Sequence, residues 1–164
     1  IDWKKLEWLN GQYMKEADDE RLATLVAPRI EARGGKVEGG PCLKQVCGLL
    51  KNRATTLEKL AENALFFYVE PKVDAEQAAA ALADGGREAL ALFGEKLGKL
   101  ADMTPEAVYG IIQEVMAERE IGMKILATPL RVCVCAAERT PQIDVTLCLI
   151  GKDEVLKRIA ATLG

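Results

Sequence analysis

Residues 128–164, TPLRVCVCAAERTPQIDVTLCLIGKDEVLKRIAATLG, decide the fold class of this chain. Two short runs in the stretch, 132–135 and 145–150, are rich in valine, leucine, isoleucine and cysteine, and a turn at 138–142 separates them. Such residues favour strands, so propensity alone predicts a β-hairpin. Short buried runs do not distinguish a strand from a buried helix by their period, however. An isolated hairpin among helices would also be only marginally stable.

The rest of the chain follows a helical period, with apolar residues recurring three or four positions apart. Asp18 and Thr104 each precede such a segment and predict helix N-caps, the second followed by a proline in the first turn. Thr55, followed three residues later by Glu58, predicts a capping box with Thr55 as the N-cap. Glu70–Pro71 interrupts the pattern and is the best candidate for a subdomain boundary.

Composition narrows the class of protein. With 164 residues, 49% of them hydrophobic, the chain can bury a core, and we expect no disorder. It has neither an uninterrupted apolar run of about 18 residues nor a signal-peptide pattern, so we expect no membrane span and a cytoplasmic location. The sequence begins at Ile1 inside a helical pattern, and we interpret the chain as a fragment of a longer protein.

The side chains that usually perform catalysis are scarce. There is no histidine, which removes the commonest general base and the most frequent metal ligand. The five cysteines are spaced C-x₄-C and C-x-C, unlike the paired ligands of a zinc site, and their simplest role is as apolar core residues. We therefore predict no catalytic residue, no metal site and no cofactor in this chain.

Charge and turn residues make the tail the candidate binding region. The net charge of −3 argues against a free-standing, charge-driven nucleic-acid binder, but residues 128–164 carry 5 basic and 4 acidic side chains and are the least acidic part. Within them Arg131 follows a Thr-Pro pair, and Thr140–Pro141 follows a second arginine. Arginines, proline turns and apolar runs in this order suit a surface that binds an anionic or flat ligand.

Three blocks of the sequence resemble one family. Residues 5–14, KLEWLNGQYM, resemble the KLxWLNxxYI segment of bacterial glutamyl-tRNA synthetases, and residues 53–60, RATTLEKL, resemble their R-x-x-TLxEx stretch. The pattern PLRV…TP…DV…IGK…RI from residue 129 onward is similar to the C-terminal end of the same enzymes. The blocks occur in order, with nearly preserved spacing, from one end of the chain to the other. The HIGH and KMSKS-like signatures of the class I catalytic core are absent.

The resemblance implies an all-α fold of two packed helical subdomains without the Rossmann catalytic domain, which overrides the hairpin prediction. Residues 1–17 would be the trailing helix of the stem-contact region, 18–65 the first anticodon-binding subdomain and 66–164 the second. The implied partners are the anticodon loop of glutamate tRNA and an N-terminal catalytic domain of the same polypeptide. That domain would use ATP and Mg²⁺ to ligate glutamate to the tRNA. We expect the fragment itself to be a non-catalytic monomer.

The resemblance also implies individual anticodon-binding residues. Arg53 matches the arginine that, in members restricted to glutamate tRNA, lies against the third anticodon base. A guanidinium offers fixed donors to the acceptors O2 and N3 of the cytosine there. The guanine of glutamine tRNA would instead place its own N–H and amino donors opposite those of the arginine. Arg131, Thr140, Pro141 and Ile143 match positions that approach the first two anticodon bases.

Other interpretations of the sequence stay open at this point. The acidic charge and the lack of histidine also suit a helical interaction or regulatory domain, and Cys133 and Cys135 could serve a redox or metal protein. Phe66–Tyr68 could stack on bases, although core packing is the simpler role. Trp3 and Trp8 are interpreted as core, or as surface exposed by the loss of a catalytic half.

Overall fold

The computed structural model describes residues 2–137 and 141–164. The expected all-α fold is confirmed, since the described residues form ten α-helices and no strand. Contacts divide the chain into two compact units, residues 1–69 and residues 70–164. The split lies beside Glu70–Pro71, and the finer division into residues 1–17, 18–65 and 66–164 stays a prediction.

The first unit is built around helix α2. Asp18 caps this helix as predicted, because its carboxylate accepts a hydrogen bond from the Arg21 backbone N–H at 3.3 Å. Leu22, Val26 and Ile30 recur every four residues and are buried, so one stripe of α2 faces α3 and α4. The elements of the unit are α1 (Trp3–Glu16), α2 (Asp19–Ala32), α3 (Leu43–Leu50), a 3₁₀ turn (Lys51–Arg53), α4 (Leu57–Ala64) and a second 3₁₀ turn (Leu65–Phe67).

Helix α4 begins one residue later than the sequence indicates. Thr56 is the N-cap, and its hydroxyl accepts a hydrogen bond at 3.0 Å from the backbone N–H three residues later. The predicted capping box of Thr55 and Glu58 is therefore wrong. The carboxylate of Glu58 instead forms ion pairs with Arg29 at 2.9 Å and Arg33 at 3.2 Å. Cationic partners from α2 and its C-cap have thus displaced the local backbone contact.

The second unit surrounds helices α6 and α8. Helix α6 packs against α7, α8 and α10 and buries Leu90, Phe93 and Leu97. Thr104 caps α7 as predicted, accepting a hydrogen bond from the Ala107 backbone N–H at 3.2 Å. The elements are α5 (Ala75–Ala81), α6 (Gly86–Gly98), α7 (Pro105–Arg119), α8 (Met123–Cys135), α9 (Ile143–Ile150) and α10 (Lys152–Leu163).

Both strand-like runs of the tail are helical, in α8 and α9, so the hairpin predicted from propensity is wrong. Helix α8 is contacted by α5, α6, α7 and α10, and its consecutive residues 132–134 are all buried. A helix enclosed on most sides is apolar around most of its circumference, so its sequence loses the helical period. Helix α9 keeps the period, burying Ile143, Thr146, Leu147 and Ile150.

A single glycine separates α9 from α10. Gly151 has φ 96° and ψ 150°, a backbone region that essentially only glycine adopts. This conformation lets α10 begin at the next residue. There the Lys152 ammonium donates a hydrogen bond to the Leu100 carbonyl at 3.0 Å and so ties the start of α10 to the loop after α6.

Candidate nucleic-acid interface

Arg53 lies at the end of a short turn that is held in place from behind. The 3₁₀ turn continues directly from α3, and Lys51 in it forms an ion pair with Asp19 at 2.8 Å. The Lys51 ammonium also donates a hydrogen bond to the Ala17 carbonyl at 3.1 Å. Ala54, which follows the turn, is buried. Both neighbouring segments are thus fixed, and the turn presents the exposed side chain of Arg53 in a defined place.

An open cleft of about 380 Å³ lies between this turn and one face of α1. Three of the side chains that line it are cationic, Lys4, Lys15 and Arg53, and one is anionic, Glu7. The cleft is therefore locally positive although the whole chain carries a charge of −3. A positive groove of this kind is what single-stranded nucleic acid requires, because its phosphates must be neutralised on binding.

Arg131, in the second unit, lies in the last turns of α8 and is half-buried. Its backbone carbonyl accepts a hydrogen bond from the Cys135 thiol at 3.0 Å. Its Nε atom is buried and has no hydrogen-bond partner among the described residues.

The other predicted contacts lie at or before the start of α9. Pro141 and Ile143 are buried, whereas Gln142 between them is exposed and N-caps the helix. The two apolar side chains therefore belong to the packing of the unit, and the exposed part of this turn is at Gln142. Thr140 is one of three residues, 138–140, that lie outside the described part of the chain. The structure thus brings Arg131, Pro141 and Ile143 into one unit and places Arg53 in the other, and their contacts with RNA stay predictions.

Sequence reasoning missed Arg158, a buried arginine of α10 with 2% of its surface exposed. Its Nη1 donates a hydrogen bond to the Val134 carbonyl at 2.7 Å, and its Nε donates to the Glu154 carboxylate at 3.1 Å. The last carbonyls of a helix lack partners within that helix, so Arg158 supplies one for the C-terminal end of α8. Gln77 supplies another, donating to the Ala136 carbonyl at 2.8 Å.

A signal for Arg158 is present in the sequence. The residue lies three positions after Val155 and one before Ile159, on the apolar stripe of α10, and four residues after a glutamate. A charge on a buried stripe indicates a specific partner. Together with Gln77, it fixes the end of α8 from which the 136–142 segment departs.

Cys133 is a buried thiol and Cys135 a half-buried one, and their surroundings do not activate either of them. Burial raises the pKa of Cys133 to about 12 and the pKa of Cys135 to about 11, so neither side chain is a thiolate near neutral pH. Among the described residues, no group of three or more histidine, cysteine, aspartate or glutamate side chains could hold a metal ion. Within the same part of the chain, no helix has the length and apolar character needed to span a membrane.

Comparison with known proteins gives matches along nearly the whole chain. A family model described as an anticodon binding domain matches residues 14–163. A glutamate–tRNA ligase of Ralstonia pickettii is 47% identical over 159 residues, which cover 96% of this chain and 34% of the relative. A glutamate–tRNA ligase of Bordetella petrii is 48% identical over 162 residues, covering 98% of this chain and 34% of the relative. The chain thus spans about a third of the length of these relatives.

The fold has a counterpart among solved structures. A crystal structure of a glutamate tRNA ligase from Elizabethkingia meningosepticum, in complex with its amino acid, superposes with a TM-score of 0.84 at 22% identity. The alignment covers 96% of this chain and 31% of that one. This likeness concerns the fold, and the family model covers all but residues 1–13 and residue 164. The chain therefore belongs to the anticodon binding domain family.

Proposed function

We propose that this chain recognises the anticodon loop of glutamate tRNA as the anticodon-binding region of a glutamate–tRNA ligase. The observation that carries the proposal is the similarity to relatives of that description over 96% of the chain or more. ATP-dependent ligation of glutamate, with Mg²⁺, would be performed by a catalytic domain outside the matched region. We propose no catalytic or cofactor-binding residue here, and we propose that the module acts as a monomer in the cytoplasm.

Arg53 is the residue to which we assign the choice of tRNA. Its guanidinium is exposed on a turn that Lys51 and Ala54 hold from either side. Such a turn holds the backbone of this arginine in one place, and its guanidinium supplies the planar set of donors that base recognition uses. Cytosine at the third anticodon position offers two acceptors to these donors, whereas guanine presents an N–H and an amino group to them. Cytosine should therefore be bound and guanine rejected.

The tail contributes contacts to the first two anticodon bases in this proposal. Arg131, half-buried in the last turns of α8, is the arginine assigned to these bases. Pro141 and Ile143 shape the turn before α9 by packing inward, so its exposed residue Gln142 would meet the bases. Thr140 keeps the role that the family resemblance gives it. Bases of single-stranded loops are bound splayed out, by stacking and by hydrogen bonds to their pairing edges.

The test is a titration of the chain with the anticodon stem-loop of glutamate tRNA at low salt. Changing the third anticodon base from C to G should weaken binding by about 1–3 kcal/mol, since that is the usual cost of one wrong base. Arg53→Gln should remove most of this discrimination. Arg119→Gln, which changes an exposed arginine at the end of α7, is the matched control and should leave it intact.

Two results would contradict the proposal. One is a failure of the stem-loop to bind at low salt. The other is an unchanged preference for cytosine in the Arg53→Gln variant, which would remove the role assigned to that residue.

A further inference from the structure

A half-open cavity of about 420 Å³ lies in the second unit. None of the residues assigned to the anticodon is among the described residues that line it. Its volume falls within the range of pockets that hold small organic molecules. The segment before α5, α5 itself, α8 and α10 all contribute to the walls. Most of the lining side chains are small or apolar, among them Pro71, Val73, Ala78 and Leu82.

Arg158 gives this cavity a buried cation. The residue lines the cavity with only 2% of its surface exposed. Its hydrogen bonds to the Val134 carbonyl and the Glu154 carboxylate engage Nη1 and Nε, and neither uses the N–H groups of Nη2. A guanidinium keeps its charge in a protein and carries several donors in a fixed plane. Arg158 therefore retains donors for a ligand that enters the cavity.

Arg87, in the first turn of α6, adds a second and more exposed guanidinium. Its Nη1 donates a hydrogen bond to the Leu163 carbonyl at 2.8 Å, which holds the side chain beside the end of α10. None of the ion pairs among the described residues involves Arg87. Glu70 is the acidic side chain of the described lining, and Lys157 pairs with it at 3.5 Å. The cavity is therefore locally positive.

Two guanidinium groups beside an apolar wall favour one class of ligand. An inorganic anion would satisfy the arginines but would leave the apolar wall in contact with water. An RNA strand would meet neither a lysine nor an aromatic ring among the described lining residues, whereas grooves for single-stranded RNA combine cations with rings. A small carboxylate with a short hydrocarbon chain satisfies both parts of the cavity. Its oxygens accept hydrogen bonds from planar guanidinium donors, and its chain covers the wall.

We infer that this cavity is a binding site for a small organic carboxylate. The carboxylate group is held by Arg158 and Arg87, and the hydrocarbon chain packs against Ala78 and Leu82. The site lies apart from the residues assigned to the anticodon, so the inference does not depend on the proposed function.

The test is a titration of the chain followed by the NMR signals of its backbone amides. Butyrate is the probe, inorganic phosphate is an anion without a hydrocarbon chain, and butylammonium carries a similar chain with the opposite charge. We expect butyrate to shift the signals of residues around the cavity saturably, with a dissociation constant of about 1–10 mM, which is ordinary for a ligand of this size. Phosphate should bind more weakly, and butylammonium should not bind.

Two variants with matched controls assign the binding to the cavity. Arg87→Gln should raise the dissociation constant about tenfold, because it removes a charged donor, whereas Arg119→Gln changes an exposed arginine outside the cavity and should not. Ala78→Leu should abolish binding by filling the cavity. Ala80→Leu makes the same change at an exposed position of α5 outside the lining and should leave binding intact. Arg158 stays unchanged in these variants because it also supports the fold.

Three results would overturn the inference. They are the absence of shifts around the cavity with butyrate, unchanged affinity in Arg87→Gln, and unchanged affinity in Ala78→Leu. Phosphate that binds as tightly as butyrate would overturn the choice of an organic carboxylate, because the apolar wall would then contribute nothing. Stem-loop binding through Arg53 is measured separately, so the proposed function stands or falls on its own test.

Discussion

Arg158 shows how one side chain can join two helices. Its guanidinium is buried in the second unit. It donates one hydrogen bond to Glu154 of its own helix, α10, and another to the Val134 carbonyl in the last turn of α8. A buried carbonyl at a helix end needs a donor, and a buried guanidinium needs acceptors, so each satisfies the other.

Truncation of this side chain should therefore be costly. We expect Arg158→Ala to lower the free energy of unfolding by about 2–4 kcal/mol, because it leaves a cavity and a buried carbonyl without its donor. Arg119→Ala, at an exposed position, should change it by no more than about 0.5 kcal/mol. Urea denaturation of both variants measures the difference, and equal midpoints would show that Arg158 does not stabilise the end of α8.

At the scale of elements, the start of α4 distinguishes two adjacent threonines. Thr56 accepts the hydrogen bond that caps the helix, whereas Thr55 does not. We expect Thr56→Ala to cost about 1 kcal/mol and Thr55→Ala to cost less. Denaturation of the two single variants is the measurement, and a larger loss in Thr55→Ala would instead favour the capping box that the sequence suggests.

The junction between α9 and α10 depends on backbone conformation instead of a side chain. Because Gly151 has φ 96° and ψ 150°, Gly151→Ala should destabilise the chain by about 1–3 kcal/mol. Gly110→Ala is a control that should change the stability in the opposite direction. That glycine lies inside α7 with nothing within 4 Å of an added Cβ, so the change should stabilise by about 0.5–1 kcal/mol. Thermal unfolding compares them, and a stable Gly151→Ala variant would contradict this account.

For the whole molecule, two buried thiols contribute to the response to alkaline pH. The ordinary thiol pKa of 9.0 applies to the unfolded chain, whereas burial raises the pKa of Cys47 to about 11 and the pKa of Cys133 to about 12. Between these values the unfolded state has lost protons that the folded state still binds. Stability is therefore complete below about pH 9 and decreases as pH rises above it.

The measurement is urea denaturation under reducing conditions between pH 8 and pH 10. We expect the free energy of unfolding to decrease across this interval in the unmodified chain. Cys47→Ala combined with Cys133→Ala should make the decrease shallower, because two of the responsible protons are gone. A decrease of the same steepness in the double variant would assign the effect to other groups.

Much of the fold follows from local sequence. Asp18 and Thr104 predict the helix starts that the structure contains, because an N-cap needs only a side-chain oxygen beside the first free N–H groups. The resemblance to glutamyl-tRNA synthetases supplied the all-α class where propensity failed. It also pointed to Arg53 and Arg131, whose contacts with RNA stay predictions.

Three features were decided by tertiary structure alone. The tail is helical because neighbouring helices enclose α8 and bury its β-branched residues, which no local pattern encodes. Glu58 leaves the predicted capping box because its carboxylate pairs with arginines twenty-nine and twenty-five positions earlier in the chain. The positive cleft exists because α1 and the 51–53 turn pack together, although the two elements are far apart in the sequence. Sequence by itself determined where α2 and α7 begin and which family pattern the chain carries. Burial and long-range charge pairing, which depend on distances in the folded state, decided the rest.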